Sequence, residues 1–140
     1  MKELHLEVIT PQKAAYEGEV KSLTVPGSLG AFQILYNHAP ILSSLKIGKV
    51  KIVELDNSEH EFAIGGGTVE VSNNNILLLA ESFESADDID VERAKQALER
   101  AKERLSIKSK EEVDTLRAEA ALNRAMNRLK LTGNYSVKSQ

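Results

Sequence analysis

The sequence predicts an all-β N-terminal sandwich or barrel followed by a C-terminal antiparallel α-helical hairpin. Three observations lead there. Short apolar segments of period two, separated by turn residues, recur about every ten residues up to position 86. Beyond Phe83 the texture changes: seven of the eight glycines and all three prolines are already behind, and Ala, Glu, Lys, Arg and Leu take over. All six arginines fall between positions 93 and 128. The expected division is 1–86 for the β domain and 87–140 for the helical domain.

Taken in order, Leu4, Leu6 and Val8 alternate with polar positions, as in a half-buried strand. The segments 20–26 and 48–55 are rich in β-branched and apolar residues and bounded by Gly and Pro. Asp56-Asn57-Ser58 is a turn signal leading into a strand at 62–64. The segments 68–71 and 76–80 flank Asn73-Asn74-Asn75, which suits a hairpin because Asn tolerates positive φ. About 85 residues suffice for a modest independent core.

In the helical part, Val91, Ala94, Leu98, Ala101 and Leu105 step by three and four, giving an apolar stripe of about four turns. Asp87, Asp88 and Asp90 stand where acids cap free amides and favour the helix dipole. A second helix is expected after Ser109, with Glu111 and Glu112 in its first turn. Ala118, Leu122, Ala125 and Leu129 form its stripe, and Gly133 ends it. Both stripes are rich in alanine, and each Leu exchanged for Ala forgoes about 2 kcal/mol of burial. A seam so thin predicts a marginally stable hairpin that can open.

The net charge is −3, which argues against non-specific nucleic-acid binding as the main role. The halves differ: residues 1–86 carry −5 and residues 87–140 carry +2. Cysteine is absent, so disulfides and thiolate zinc sites are excluded. No apolar run approaches the ~18 residues of a membrane span. The N-terminus lacks a signal-peptide pattern, so a soluble protein that stays where it is made is expected.

The arginines form two triplets of identical spacing, Arg93, Arg100, Arg104 and Arg117, Arg124, Arg128. Steps of seven and four put each triplet on one helix face. Asp90, Glu103 and Asp114 are available as partners for Arg93, Arg100 and Arg117. The arginines are either a solvated basic face or an anion site built from guanidinium forks. Gly65-Gly66-Gly67-Thr68 lacks the Lys-Ser/Thr ending of a phosphate loop and precedes a strand, which makes it a tight turn or bulge. His5, His38 and His60 have no metal spacing, and no catalytic constellation can be singled out. The expectation is no metal, no catalytic residue and no required cofactor.

An ordered set of segments resembles the epsilon subunit family of the F-type, proton-translocating ATP synthase, in its bacterial form. It comprises Val25-Pro26-Gly27-Ser28-Leu29-Gly30, Ile34-Leu35, His38-Ala39-Pro40-Ile41-Leu42, Gly48-Lys49-Val50 and Gly66-Gly67-Thr68-Val69-Glu70-Val71. The helical part adds Asp88-Ile89-Asp90-Val91-Glu92-Arg93-Ala94 and Arg124-Ala125-Met126-Asn127-Arg128-Leu129. The resemblance implies a sandwich of about ten strands and a regulatory helical hairpin. It implies a non-catalytic central-stalk subunit, peripheral on the cytoplasmic face of the bacterial inner membrane and attached only through the complex. The gamma subunit and the c-ring are the implied partners, with Gly27, Gly30, His38, Ala39, Pro40 and Leu42 as the contact surface. Gln33 and Tyr36 stand where many members have Gly and Pro. An extended hairpin would reach the alpha and beta subunits and inhibit ATP hydrolysis.

Some bacterial members bind ATP in the folded hairpin through an Ile-Asp-x-x-Arg-Ala motif, matched here by Ile89, Asp90, Arg93 and Ala94. The accompanying positions are Glu84, Arg100, Arg124 and Arg128. ATP is therefore the implied regulatory ligand. A stand-alone ATP-sensing module outside any ATPase is the competing reading, and an arginine-helix nucleic-acid binder is disfavoured by the lack of aromatic residues on the helices.

Overall fold

The computed structural model describes residues 2–106 and 112–134. Its β unit contains seven strands among those residues: β1 Leu4–Ile9, β2 Ala14–Gly27, β3 Gly30–Ile34, β4 Ile41–Glu54, β5 Glu59–Ser72, β6 Asn75–Ala80 and β7 Phe83–Ser85. Strand order is β1-β6-β5-β4-β2-β3, and β1 also pairs with β2, so five strands close into a ring. β1 runs parallel to β6 and antiparallel to β2. The result is a flattened barrel whose two walls form the expected sandwich.

Three strands are 14 residues long, and each serves two sets of partners. β2 pairs with β1 along 14–20 and with β3 and β4 along 20–27. β5 pairs with β7 in its first half and with β6 in its second. Counting each long strand as two halves gives the ten of the sequence-based expectation. Gly65-Gly66-Gly67 is a bend inside β5, not a turn between strands. Register with β4 continues from Leu45↔Gly67 to Ile47↔Gly65. A Cβ on Gly67 would lie 2.0 Å from the Leu79 carbonyl oxygen, so only glycine admits this backbone approach.

The core of the β unit is the inward-facing set of the period-two strands: Leu4, Leu6 and Val8 of β1, Val69 and Val71 of β5, Ile76 and Leu78 of β6, with Leu23, Ile34 and Ile52. Phe62 and Phe83 stack with ring centroids 4.4 Å apart, and Tyr16 meets Phe62 edge-on.

The helical unit comprises α1 Val91–Ser106 and α2 Glu112–Leu131, after a single 3-10 turn at Ala86–Asp88. The chain forms two compact units, Met1–Ser85 and Ala86–Gln140. The Asp90 carboxylate accepts the Arg93 amide at 3.0 Å, making Asp90 the N-cap. Ala94 and Leu98 pack against Ala125 and Leu129, so the start of α1 meets the end of α2 and the pair is antiparallel. At the far end Asn134 donates to Leu129 O (2.8 Å) and Gly133 to Lys130 O (3.1 Å), with Gly133 at φ 78°. This is a Schellman closure, which needs a left-handed residue at Gly133. The expected junction at Ser109 and Glu111 lies outside the described residues. Among the described residues, no helix is long and apolar enough to cross a membrane.

Candidate functional site

The arginine face follows from helix geometry. At about 100° per residue, the arginines of α1 lie about 100° round from its buried line of Ala94, Leu98 and Ala101. Those of α2 lie about 100° round, in the same sense, from Ala118, Ala125 and Leu129. In an antiparallel pair, equal offsets of one sense bring both stripes to the same broad side. Antiparallel order then sets Arg93 near Arg128, Arg100 near Arg124, and Arg104 near Arg117. Arg93, Arg100, Arg104 and Arg117 are exposed, whereas Arg124 and Arg128 are half-buried.

Of the acids expected to neutralise these arginines, Asp90 has another role. Asp90 caps α1, and among the described residues the ion pairs on that helix use lysines: Lys95–Glu92 at 4.0 Å and Lys102–Glu99 at 3.9 Å. Among the described residues no ion pair engages Arg93, Arg100, Arg104, Arg117 or Arg124, so the pairs expected with Asp90, Glu103 and Asp114 do not form. A stripe of like-charged side chains of this kind favours an external anion.

The motif residues divide by role. Ile89 and Ala94 are buried, at 7 % and 4 % exposure, and Asp90 is the cap. Arg93, Arg100, Arg124 and Arg128 are the cationic members on the helices. Glu84 stands on β7 opposite Ala63, within the β unit.

The second expected surface is an end of the β unit. Gly27 and Gly30 bracket the β2–β3 turn, where a Cβ on Gly27 would lie 2.6 Å from the Gly30 carbonyl oxygen. The turn leaves Leu29 wholly exposed and ties Ser28 to Ser44 through both backbone (3.0 Å) and hydroxyl (2.8 Å) bonds. His38 donates from Nδ1 to the Ala39 carbonyl at 2.7 Å, setting the turn before Pro40. Asn37 and Asn74 exchange hydrogen bonds that pin this loop to the β5–β6 turn. Leu42 is 73 % exposed, and Leu35 and Tyr36 add further exposed apolar surface. Residues Leu29, Leu35 and Tyr36 carry that surface as much as the glycines and His38 do. Their sequence signal is apolar side chains inside turn segments.

A hydrogen-bonded group that sequence reading missed lies at the β4–β5 turn. Tyr16 donates to Glu54 at 2.6 Å, and His60 Nε2 (3.1 Å) and Ser58 Oγ (3.2 Å) donate to the other carboxylate oxygen. The Tyr16 hydroxyl first, then His60, hold the Glu54 carboxyl below its ordinary range. Burial, then the same carboxylate, push the Tyr16 phenol up. Elsewhere His5 bonds Glu19 at 2.7 Å and faces Glu17 at 3.4 Å, and the Glu19 bond raises its pKa. Strand pairing creates both groups: β1 with β2 for His5, and β4 with β2 and β5 for Glu54. No cluster of three or more metal-binding side chains exists among the described residues.

Residues 3–86 match the family domain described as ATP synthase, Delta/Epsilon chain, beta-sandwich domain. Residues 87–133 match its partner, described as the long alpha-helix domain of the same chain. The chain is 41 % identical over 102 residues to an ATP synthase epsilon chain of Anaeromyxobacter sp. (strain Fw109-5), covering 73 % of this chain and 76 % of that one. It is 44 % identical over 105 residues to the epsilon chain of Nitratidesulfovibrio vulgaris (strain DP4), covering 75 % and 78 %. Its fold is similar to a chain of the Euglena gracilis mitochondrial ATP synthase, with TM-score 0.77, 18 % identity, and 88 % and 77 % coverage. A chain of the Tetrahymena thermophila mitochondrial ATP synthase central stalk and c-ring gives TM-score 0.66 at 20 % identity, with 92 % and 96 % coverage.

Proposed function

The chain belongs to the ATP synthase delta/epsilon family, and we propose that it is a non-catalytic rotor subunit whose helical hairpin regulates ATP hydrolysis. The observation that carries this reading is the matching of both family domains, in order, over almost the whole chain. In this role the β unit docks on the gamma subunit and the c-ring through the surface around Gly27, Gly30, His38, Ala39, Pro40 and Leu42. It thereby couples proton translocation to ATP synthesis, peripheral to the membrane on its cytoplasmic face. The extended hairpin meets the alpha and beta subunits and restrains hydrolysis.

ATP is the proposed regulatory ligand. Arg93, Arg100, Arg124 and Arg128 offer charge-assisted hydrogen bonds to phosphates, and Glu84 and Asp90 belong to the adenine and ribose end. The capped start of α1 adds the positive end of a helix dipole. Because ligand stabilisation is RT ln(1 + [L]/Kd), a hundredfold excess over Kd adds about 2.7 kcal/mol to the closed hairpin. Hydrolysis is not required, because the nucleotide acts as a clasp.

The test is ATPase activity of the reconstituted complex with and without residues 87–140. Release of hydrolysis on truncation supports the regulatory role, and unchanged hydrolysis removes it. Calorimetric titration of the full chain with millimolar ATP is expected to give heat that Arg100→Ala and Arg124→Ala abolish. Absence of heat from the folded wild type removes the nucleotide. Failure to co-purify with gamma and c subunits would instead favour a stand-alone nucleotide sensor.

A further inference from the structure

Arg104 and Arg117 complete the two triplets but stand outside the Ile-Asp-x-x-Arg-Ala motif and its accompanying positions. Both are exposed, on the broad side that carries the other arginines and at the end far from the Asp90 cap. The seven-four spacing runs in opposite directions on the two antiparallel helices. From the cap outward the steps are about 10 Å and then 6 Å along α1, and about 6 Å and then 10 Å along α2. Averaged across the hairpin, they make three rungs about 8 Å apart. These are Arg93 with Arg128, Arg100 with Arg124, and Arg104 with Arg117.

The surroundings of the outer two rungs suit a chain of phosphates. Ala97 and Ala121 share the arginine side and are half-buried, so the floor between the rungs carries no bulk. Ala94, Ala101, Ala118 and Ala125 line the seam, and small residues there admit helix axes to about 8 Å, the close end of the packing range. Guanidinium groups from both helices can then converge on one anion. Glu92, Glu99, Glu103 and Glu119 lie on other faces of their helices. Asp90 and Asp114 are the described helix acids nearest the stripe, one towards each end: Asp90 is taken by the cap, and Asp114 is exposed one turn before Arg117.

We propose that Arg104 and Arg117 form a subsite for the terminal phosphate of a nucleoside triphosphate. The proposal rests on the nucleotide reading above, which sets the nucleoside end at Asp90 and the phosphates along the arginines. From that end the phosphate chain passes Arg100 and Arg124, and its last member arrives at the far rung. A diphosphate stops short and leaves two cations facing each other without an anion between them, which weakens the closed hairpin. The two arginines outside the motif thus make the clasp sensitive to the third phosphate.

The test is calorimetric titration of the full-length chain with ADP, ATP and inorganic tripolyphosphate. Wild type is expected to bind ATP about tenfold more tightly than ADP. Arg104→Ala with Arg117→Ala is expected to weaken ATP binding about tenfold while ADP affinity moves less than about twofold. Arg100→Ala is expected to weaken both nucleotides. Asp114→Asn is expected to strengthen ATP binding about twofold, a gain that unfolding cannot imitate. Circular dichroism of each variant confirms an intact fold. ATP bound by the double variant within about twofold of wild type overturns the subsite and leaves the nucleotide reading intact. Equal loss of ATP and ADP reduces the pair to general basic attraction and also overturns it. Tripolyphosphate bound as tightly as ATP removes the nucleoside from the ligand and overturns it too. Absence of ATP binding by the folded wild type removes both readings.

Discussion

Gly67 and Gly133 show how one residue type meets two different demands. A Cβ at Gly67 would collide with backbone at 2.0 Å, whereas at Gly133 nothing lies within 4 Å and only the positive φ matters. Gly67→Ala is therefore expected to lower unfolding free energy by about 2–4 kcal/mol, and Gly133→Ala by about 1 kcal/mol. Urea denaturation of the two variants measures the difference. Glu54 gives a pH signature. Its folded pKa lies below the ordinary 4.5, so its bonds add stability above that value and lose it as pH falls through the folded value. Tyr16→Phe is expected to destabilise the chain at neutral pH, with the deficit shrinking below pH 4.5. A deficit unchanged down to pH 2.5 would mean that the phenol contributes through packing against Phe62 alone.

At the level of elements, the helical pair is held by a cluster with two leucines and two alanines fully in it: Leu98, Leu129, Ala94 and Ala125. Leu129→Ala removes about half of the large buried side chains and is expected to cost about 2–4 kcal/mol. Hydrogen exchange is the discriminating readout. Amides of α1 and α2 should lose protection while those of β5 and β6 keep theirs. The stripes, the Asp90 cap and the Gly133 stop are legible in sequence because each depends on neighbours within five residues. The strands are harder. The segments 30–34 and 83–85 have no turn-bounded apolar run to announce them, and three glycines disguise the continuity of β5. Arg100 and Arg124 can be read as two stripes able to meet a common anion, because the antiparallel hairpin is itself legible; that Arg124 is half-buried and Arg100 exposed is not. The Glu54 and His5 groups join residues 38 and 14 positions apart, beyond the reach of any local pattern.

At the scale of the whole molecule, each unit has its own core: seventeen buried residues from Leu4 to Phe83 form one cluster, and the helical cluster is separate. The β unit is thus expected to fold without the hairpin. Residues 1–86 alone should give β-type circular dichroism and a single cooperative thermal transition. Non-cooperative melting of that fragment would show that the helices are needed to complete the β unit.

The short N-terminal strand is the keystone of the hoop, because β1 bonds to β2 on one side and β6 on the other. Losing it would not shorten a sheet by one member. It would bare two rows of backbone donors and acceptors at once, each a template for another chain. Damage to the first ten residues therefore threatens solubility before it threatens any binding surface.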